Sequence, residues 1–199
     1  MRQLSRIAAL CGAGVIVLTM VLPPVSSLAN QLFSVHMARH LLVVAVAAPL
    51  LVLGGAELRM PPVLAWCLFV SLFLFWHWPD AFRFSALHGL TVLELGSLLA
   101  AATAFWSVAL GNSALPDGAR ALFVMTAAVV TDLPGVVMLF ARRAFCILPQ
   151  SNPAFLHLNS LEDQQLAGLL MWVPANLAFF GIATFLLARW LREPSMVTS

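Results

Sequence analysis

Six apolar runs, each near the length of a bilayer core and each closed by helix breakers, leave this chain few ways to fold. A helix crosses membrane hydrocarbon with about 20 apolar residues. The runs fall at 5–22, 36–54, 61–78, 86–110, 119–141 and 165–190. Between them stand Pro23-Pro24, Gly54-Gly55, Pro61-Pro62, Pro79, Gly111 with Pro116 and Gly118, and Pro149 with Pro153. Membrane-barrel strands alternate over about ten residues, and these runs are far longer. The expectation is an all-α polytopic bundle of six spans, a single transmembrane domain over 1–199, with the lipid bilayer as its surroundings. Composition agrees: 9% of residues are charged, against about 25% in soluble domains. A net charge of +2 implies no nucleic-acid partner. Cys11, Cys67 and Cys146 are far apart and show no paired spacing, which speaks against a thiolate metal site or a disulfide framework.

The first run has features of a secretory signal. Arg2 and Arg6 precede it, and Ser27-Leu28-Ala29 offers a small-residue cleavage pattern. Its apolar core is long for a signal, so a retained helix is the preferred reading. With a cytoplasmic N-terminus, the inner side holds Arg2, Arg6, Arg59, Arg120, Arg189 and Arg192, and the outer side Arg39, Arg83, Arg142 and Arg143. That bias follows the positive-inside tendency and places both termini in the cytoplasm. All five histidines, His36, His40, His77, His88 and His157, then fall on the outer side. The outer acids are Asp80, Glu94, Asp132, Glu162 and Asp163; Glu57, Asp117 and Glu193 are inner.

Ionisable residues inside spans are functional candidates by default. His36 and His40 stand at i and i+4, so their rings share one helical face, about 6 Å apart. Two imidazoles so placed can hold one metal ion between them. Met37 lies ~60° around the helix from His40 and offers a soft thioether. An imidazole and thioether set suits copper, Cu(I) above all. The same rings can instead bond a carboxylate across helices, and the residues alone leave both readings open. His77 ends the third run beside Trp76 and Trp78, at interfacial depth. His88 and His157 read as surface or loop residues. Glu94 and Asp132 lie within apolar runs, where a bare carboxylate costs several kcal/mol. Arg39 is their nearest counter-charge by depth. Leu133-Pro134-Gly135, directly after Asp132, is expected to kink the fifth helix. In "LEDQQLAGLLMWVPA", Glu162 and Asp163 suit a helix N-terminus. One acid would suffice as a cap, so Asp163, Gln164 and Gln165 read as a site lining.

The segments "HMARHLLVVAVAAPLLVLG" and "LEDQQLAGLLMWVPA", with "FWHWPDAF" and "LPG", resemble the signature segments of the CtaG-like cytochrome c oxidase assembly factor family, a multi-span bacterial family. The resemblance runs from about residue 30 onward. Its matching positions are His36, Met37, His40, Trp76, His77, Glu94, Asp163, Gln164, Gln165 and Trp172. Leu95 stands where the family usually has a histidine, and the chain is shorter than members with seven spans. The resemblance implies a non-enzymatic protein of the bacterial inner membrane. Its implied partners are the subunits of a haem–copper oxidase, and its implied work is maturation of the copper centres from the periplasmic face. On that reading copper is held by His36 and His40, with Met37 and His77 as added ligands. Glu94 and Asp163 would orient the rings, and Asp132, Gln164 and Gln165 would complete the polar cluster. The alternative is a haem-binding or scaffold subunit of a respiratory oxidase. Haem usually takes axial ligands from different helices, so haem is the less favoured cofactor.

Overall fold

The computed structural model describes residues 2–192, and Glu193 lies outside them. Nine α-helices follow one another among these residues, with no strand. They are α1 (Arg2–Val21), α2 (Val25–Gln31), α3 (Phe33–Leu42), α4 (Ala48–Gly54), α5 (Pro62–Trp76), α6 (Pro79–His88), α7 (Thr91–Leu110), α8 (Asp117–Leu139) and α9 (Ser160–Arg192). A π-helical turn, Val43–Ala47, joins α3 to α4, so the two form one rod over Phe33–Leu53. Five helical segments are long and apolar enough to cross a membrane, and α5 with α6 makes a sixth candidate bent by 72°. Large apolar side chains such as Val63, Val137 and Leu177 are exposed along the helices, as lipid-facing surface requires. The protein is an all-α membrane protein.

The breakers set the helix ends. Pro62 and Pro79 sit in the first turns of α5 and α6, where a missing N–H costs nothing. Gly89 closes α6 at φ 65°, a left-handed C-cap that glycine adopts without a Cβ clash. These caps correct two expected spans. The third apolar run continues around a bend into α6, and the fourth helix starts at Thr91 rather than at 86.

One core cluster joins α4, α5, α7, α8 and α9 through Val52, Phe69, Phe105, Trp106, Val124 and Phe179. The π turn leaves the Val44 carbonyl open to a partner, and Trp106 Nε1 donates to it at 2.7 Å. A second cluster lies at the end of the bundle where α3, α7 and α9 begin. It contains Phe33, Met37, Phe82, Met138, Cys146, Leu148, Ala167 and Met171. Where α8 crosses α9, Gly135 meets Gly168, and a Cβ on Gly168 would lie 2.6 Å from the Gly135 carbonyl oxygen. Glycine at both positions permits that close approach.

Candidate metal centre

Asp163 fixes the helix that carries the histidines. Leu32 precedes helix α3 at the cap position, and its apolar side chain accepts no hydrogen bond there. The carboxylate of Asp163 comes from α9 to do so, accepting from Phe33 N at 2.7 Å and from Ser34 N at 3.1 Å and Oγ at 2.6 Å. First-turn N–H groups have no intrahelical acceptor, and a carboxylate there also meets the positive end of the helix dipole. Asp163 is free for this work because Asn159 and Glu162 cap α9 itself. Asn159 Oδ1 accepts from Leu161 N and Glu162 N, and Glu162 Oε2 accepts from Asn159 N. Asp163 therefore orients the backbone of α3, not an imidazole as expected.

The carboxylate that meets the imidazoles is Glu94, one turn into α7. Its Oε1 lies 3.2 Å from His36 Nε2 and 3.0 Å from His40 Nε2. Its Oε2 accepts from Ser85 Oγ at 2.8 Å. The bend between α5 and α6 brings Ser85 over α7. Trp76 Nε1 donates to Ser97 Oγ at 2.9 Å, and that hydroxyl donates to the Glu94 carbonyl at 3.0 Å. His36, His40 and Glu94 are all buried, and one donor atom from each lies within 4.8 Å of the other two. Tetrahedral coordination at ~2.05 Å places ligand atoms about 3.3 Å apart. The two histidine-to-glutamate separations are near that edge.

The hydrogen-bond partners fix where the protons of neutral rings sit. Arg39 Nη2 lies 2.8 Å from His36 Nδ1. Guanidinium only donates, so Nδ1 accepts and His36 presents Nε2–H to Glu94. His77 Nδ1 lies 2.6 Å from the Phe73 carbonyl and must donate to it. The His77 Nε2 lone pair then takes the proton of His40 Nδ1 at 3.3 Å. With neutral rings His40 Nε2 then faces Glu94 Oε1 as a second acceptor at 3.0 Å, and a cation between them, either a proton that makes the contact an ion pair or a metal ion, satisfies both.

Aromatic rings enclose the group. Phe33 and Phe82 flank His36 at centroid distances of 6.3 and 5.3 Å, and Phe73 stacks on His77 at 4.1 Å. A cavity of about 30 Å³ is lined by His40, His77, Thr131 and Asp132. On the other side, a cavity of about 100 Å³ lined by Asn30, His36, Thr91 and Gln150 opens among the loops.

The other candidates are placed differently. Met37 is buried in the second apolar cluster beside Phe33 and Phe82. Asp132 pairs with Asn176, whose Nδ2 donates to both of its oxygens at 3.0 Å, and not with Arg39. Gln164 Oε1 accepts from Phe145 N and Cys146 N, and Gln165 Nε2 donates to the Ala141 carbonyl. The two glutamines hold the loop that follows α8; unpaired backbone groups at a helix end need such partners. They do not line the histidine group. His88 and His157 are exposed. Ser85 escaped the sequence reading, since no spacing relates a serine on one helix to an acid on the next.

Neither a curated protein nor a solved structure matches the chain. A family model, the cytochrome c oxidase caa3 assembly factor (Caa3_CtaG), matches residues 55–193. The match includes His77, Ser85, Glu94 and Asp163, while His36 and His40 precede it on the helix that Asp163 caps. Because that match covers well over half of its length, the chain belongs to the cytochrome c oxidase caa3 assembly factor family, which serves assembly and not catalysis.

Proposed function

We propose that this assembly factor acts in maturation of the oxidase copper centres, holding copper as cargo between His36, His40 and Glu94. One observation carries the reading: buried His36, His40 and Glu94 bring one donor atom each within 4.8 Å of the others, with both Nε2 atoms 3.0–3.2 Å from Glu94 Oε1. Imidazole suits copper, and the carboxylate extends the donor set toward Cu(II) as well as Cu(I). His77 keeps the His40 tautomer through its own bond to the Phe73 carbonyl, the kind of support that holds a ligand ring in place. Met37 forms part of the apolar wall next to His36. The cavity between the loops gives His36 an approach from the end of the bundle. The arginine distribution supports a periplasmic position for that end and cytoplasmic termini. Copper from the periplasm then reaches the site without crossing the bilayer, and the receiving partners are oxidase subunits.

The test is the double variant His36→Ala with His40→Ala. Copper retained by the purified protein and oxidase activity of the host are both expected to fall. If both stay at wild-type levels, the copper reading is wrong and the polar group only ties helices together. A Soret band in the purified wild-type protein would replace copper with haem.

A further inference from the structure

Arg39 sits between the two histidines on α3 and is 1% exposed. A guanidinium carries five N–H donors. Among the described residues one hydrogen bond holds it, Nη2 to His36 Nδ1 at 2.8 Å. Its Nε and Nη1 have no hydrogen-bond partner among the described residues. No carboxylate of the described residues pairs with it directly, although it feels the charge of Glu94. Unmade donors on a buried cation are costly, so the guanidinium is weakly anchored where it lies.

The polarity of its one bond is opposite to that of a metal site. A histidine that ligates through one nitrogen donates its other N–H to an acceptor, such as a carboxylate or carbonyl. His36 does the reverse: Nδ1 accepts from a cation, and the proton stays on Nε2, the atom that faces Glu94. For Nε2 to bind copper, that proton must move to Nδ1 and Arg39 must give up its bond. No proton is lost, because the ring changes only its tautomer.

We infer that Arg39 is a resident cation that competes with copper for His36 and Glu94, and so sets how readily the site releases its cargo. This rests on the copper reading above. With the site empty, Arg39 balances Glu94 and holds His36 in the tautomer that cannot ligate through Nε2. With copper bound, two cations share one buried carboxylate, and the guanidinium weakens the hold on the ion. Departure of copper lets Arg39 reclaim His36 Nδ1. A carrier benefits from that balance, since it must bind and then yield.

The experiment titrates full-length protein in lipid nanodiscs with Cu(I) and with Cu(II), each buffered by a competing chelator. Arg39→Gln removes the charge and supplies an acceptor for Nδ1–H. It should bind copper about 10- to 100-fold more tightly than wild type, the usual weight of such supporting contacts. Arg39→Lys keeps the charge and should gain no such tightening. If Arg39→Gln binds no more tightly while His36→Ala with His40→Ala loses binding, Arg39 does not compete and the copper reading stands. If the double histidine variant binds like wild type, the copper reading itself falls. Should Arg39→Gln not fold, wild-type protein with isotope-labelled arginine gives the answer by infrared difference spectroscopy. A guanidinium band must shift on copper loading, and an unchanged band overturns the inference.

Discussion

The two ends of the bundle each bury an arginine near an acid, and they treat it differently. At the end where α8 begins, Arg120 uses every nitrogen. Nε donates to the Val108 carbonyl at 3.2 Å, Nη1 to Asp117 Oδ1 at 3.0 Å and Nη2 to the Gly111 carbonyl at 2.9 Å. Arg189 Nε approaches the other oxygen of Asp117 at 2.9 Å. At the end where α3 begins, Arg39 makes one bond to a neutral ring and leaves Nε and Nη1 unused. A buried charge adds to rigidity when its bonds are complete. The first site is a clasp between α7, α8 and α9. The second is electrostatically unfinished, which suits a group that must rearrange around a ligand.

The sharpest challenge to this contrast is to remove each arginine in turn. Arg120→Met leaves Asp117 with Arg189 alone, strands two carbonyls and should cost about 3 kcal/mol, the lower end for breaking a buried pair. Thermal unfolding in detergent reads that loss, and copper retention should not change. Arg39→Met should cost less than about 1 kcal/mol, because one net hydrogen bond is lost and a poorly paired charge is removed. Equal losses for the two variants would erase the distinction.

A smaller effect is expected where α9 holds the histidine helix. Asp163→Asn keeps the shape but loses the charge that caps α3, and should cost about 1 kcal/mol of stability. The loss of alignment at His36 should also lower copper retention, whereas the Arg120 clasp is untouched. A stability loss with undiminished copper would mean that α3 keeps its position without the cap.

The smallest expected response is that of Cys146, in the loop held by Gln164. Burial pushes its thiol up to about 12. The reactive thiolate is populated only as pH approaches that value. Maleimide labelling of Cys146 in the folded protein should therefore stay negligible between about pH 7 and 9, and appear once detergent unfolds the chain. Labelling in the folded state would show that the loop is not closed over this end of the bundle.

Much of the fold was legible in the order of residues, and less of the site was. Hydropathy and breakers act over a few neighbours, so the spans could be counted from them. The bend at Trp78-Pro79 was not, because an apolar run and a short second helix have similar composition. His36 and His40 were legible because i, i+4 spacing alone puts two rings together, here at a centroid distance of 4.8 Å. Which acid they meet was not legible. Depth in the membrane suited both Glu94 and Asp163, and the choice turns on helix rotation and on which N–H groups lack acceptors.

That division has a general cause. Apolar length, helix termination and same-face spacing are properties of a continuous segment, so this chain's amino-acid order settled an all-α membrane protein with two histidines on one helical face. Asp163 on the α3 backbone, Glu94 between two imidazoles, Ser85 behind Glu94 and Arg39 against His36 Nδ1 join groups on different helices or choose among nearby donors. Those pairings were decided by packing. A hydrogen bond needs its atoms within a few tenths of an ångström, and only the docking of one helix on another sets distances that finely.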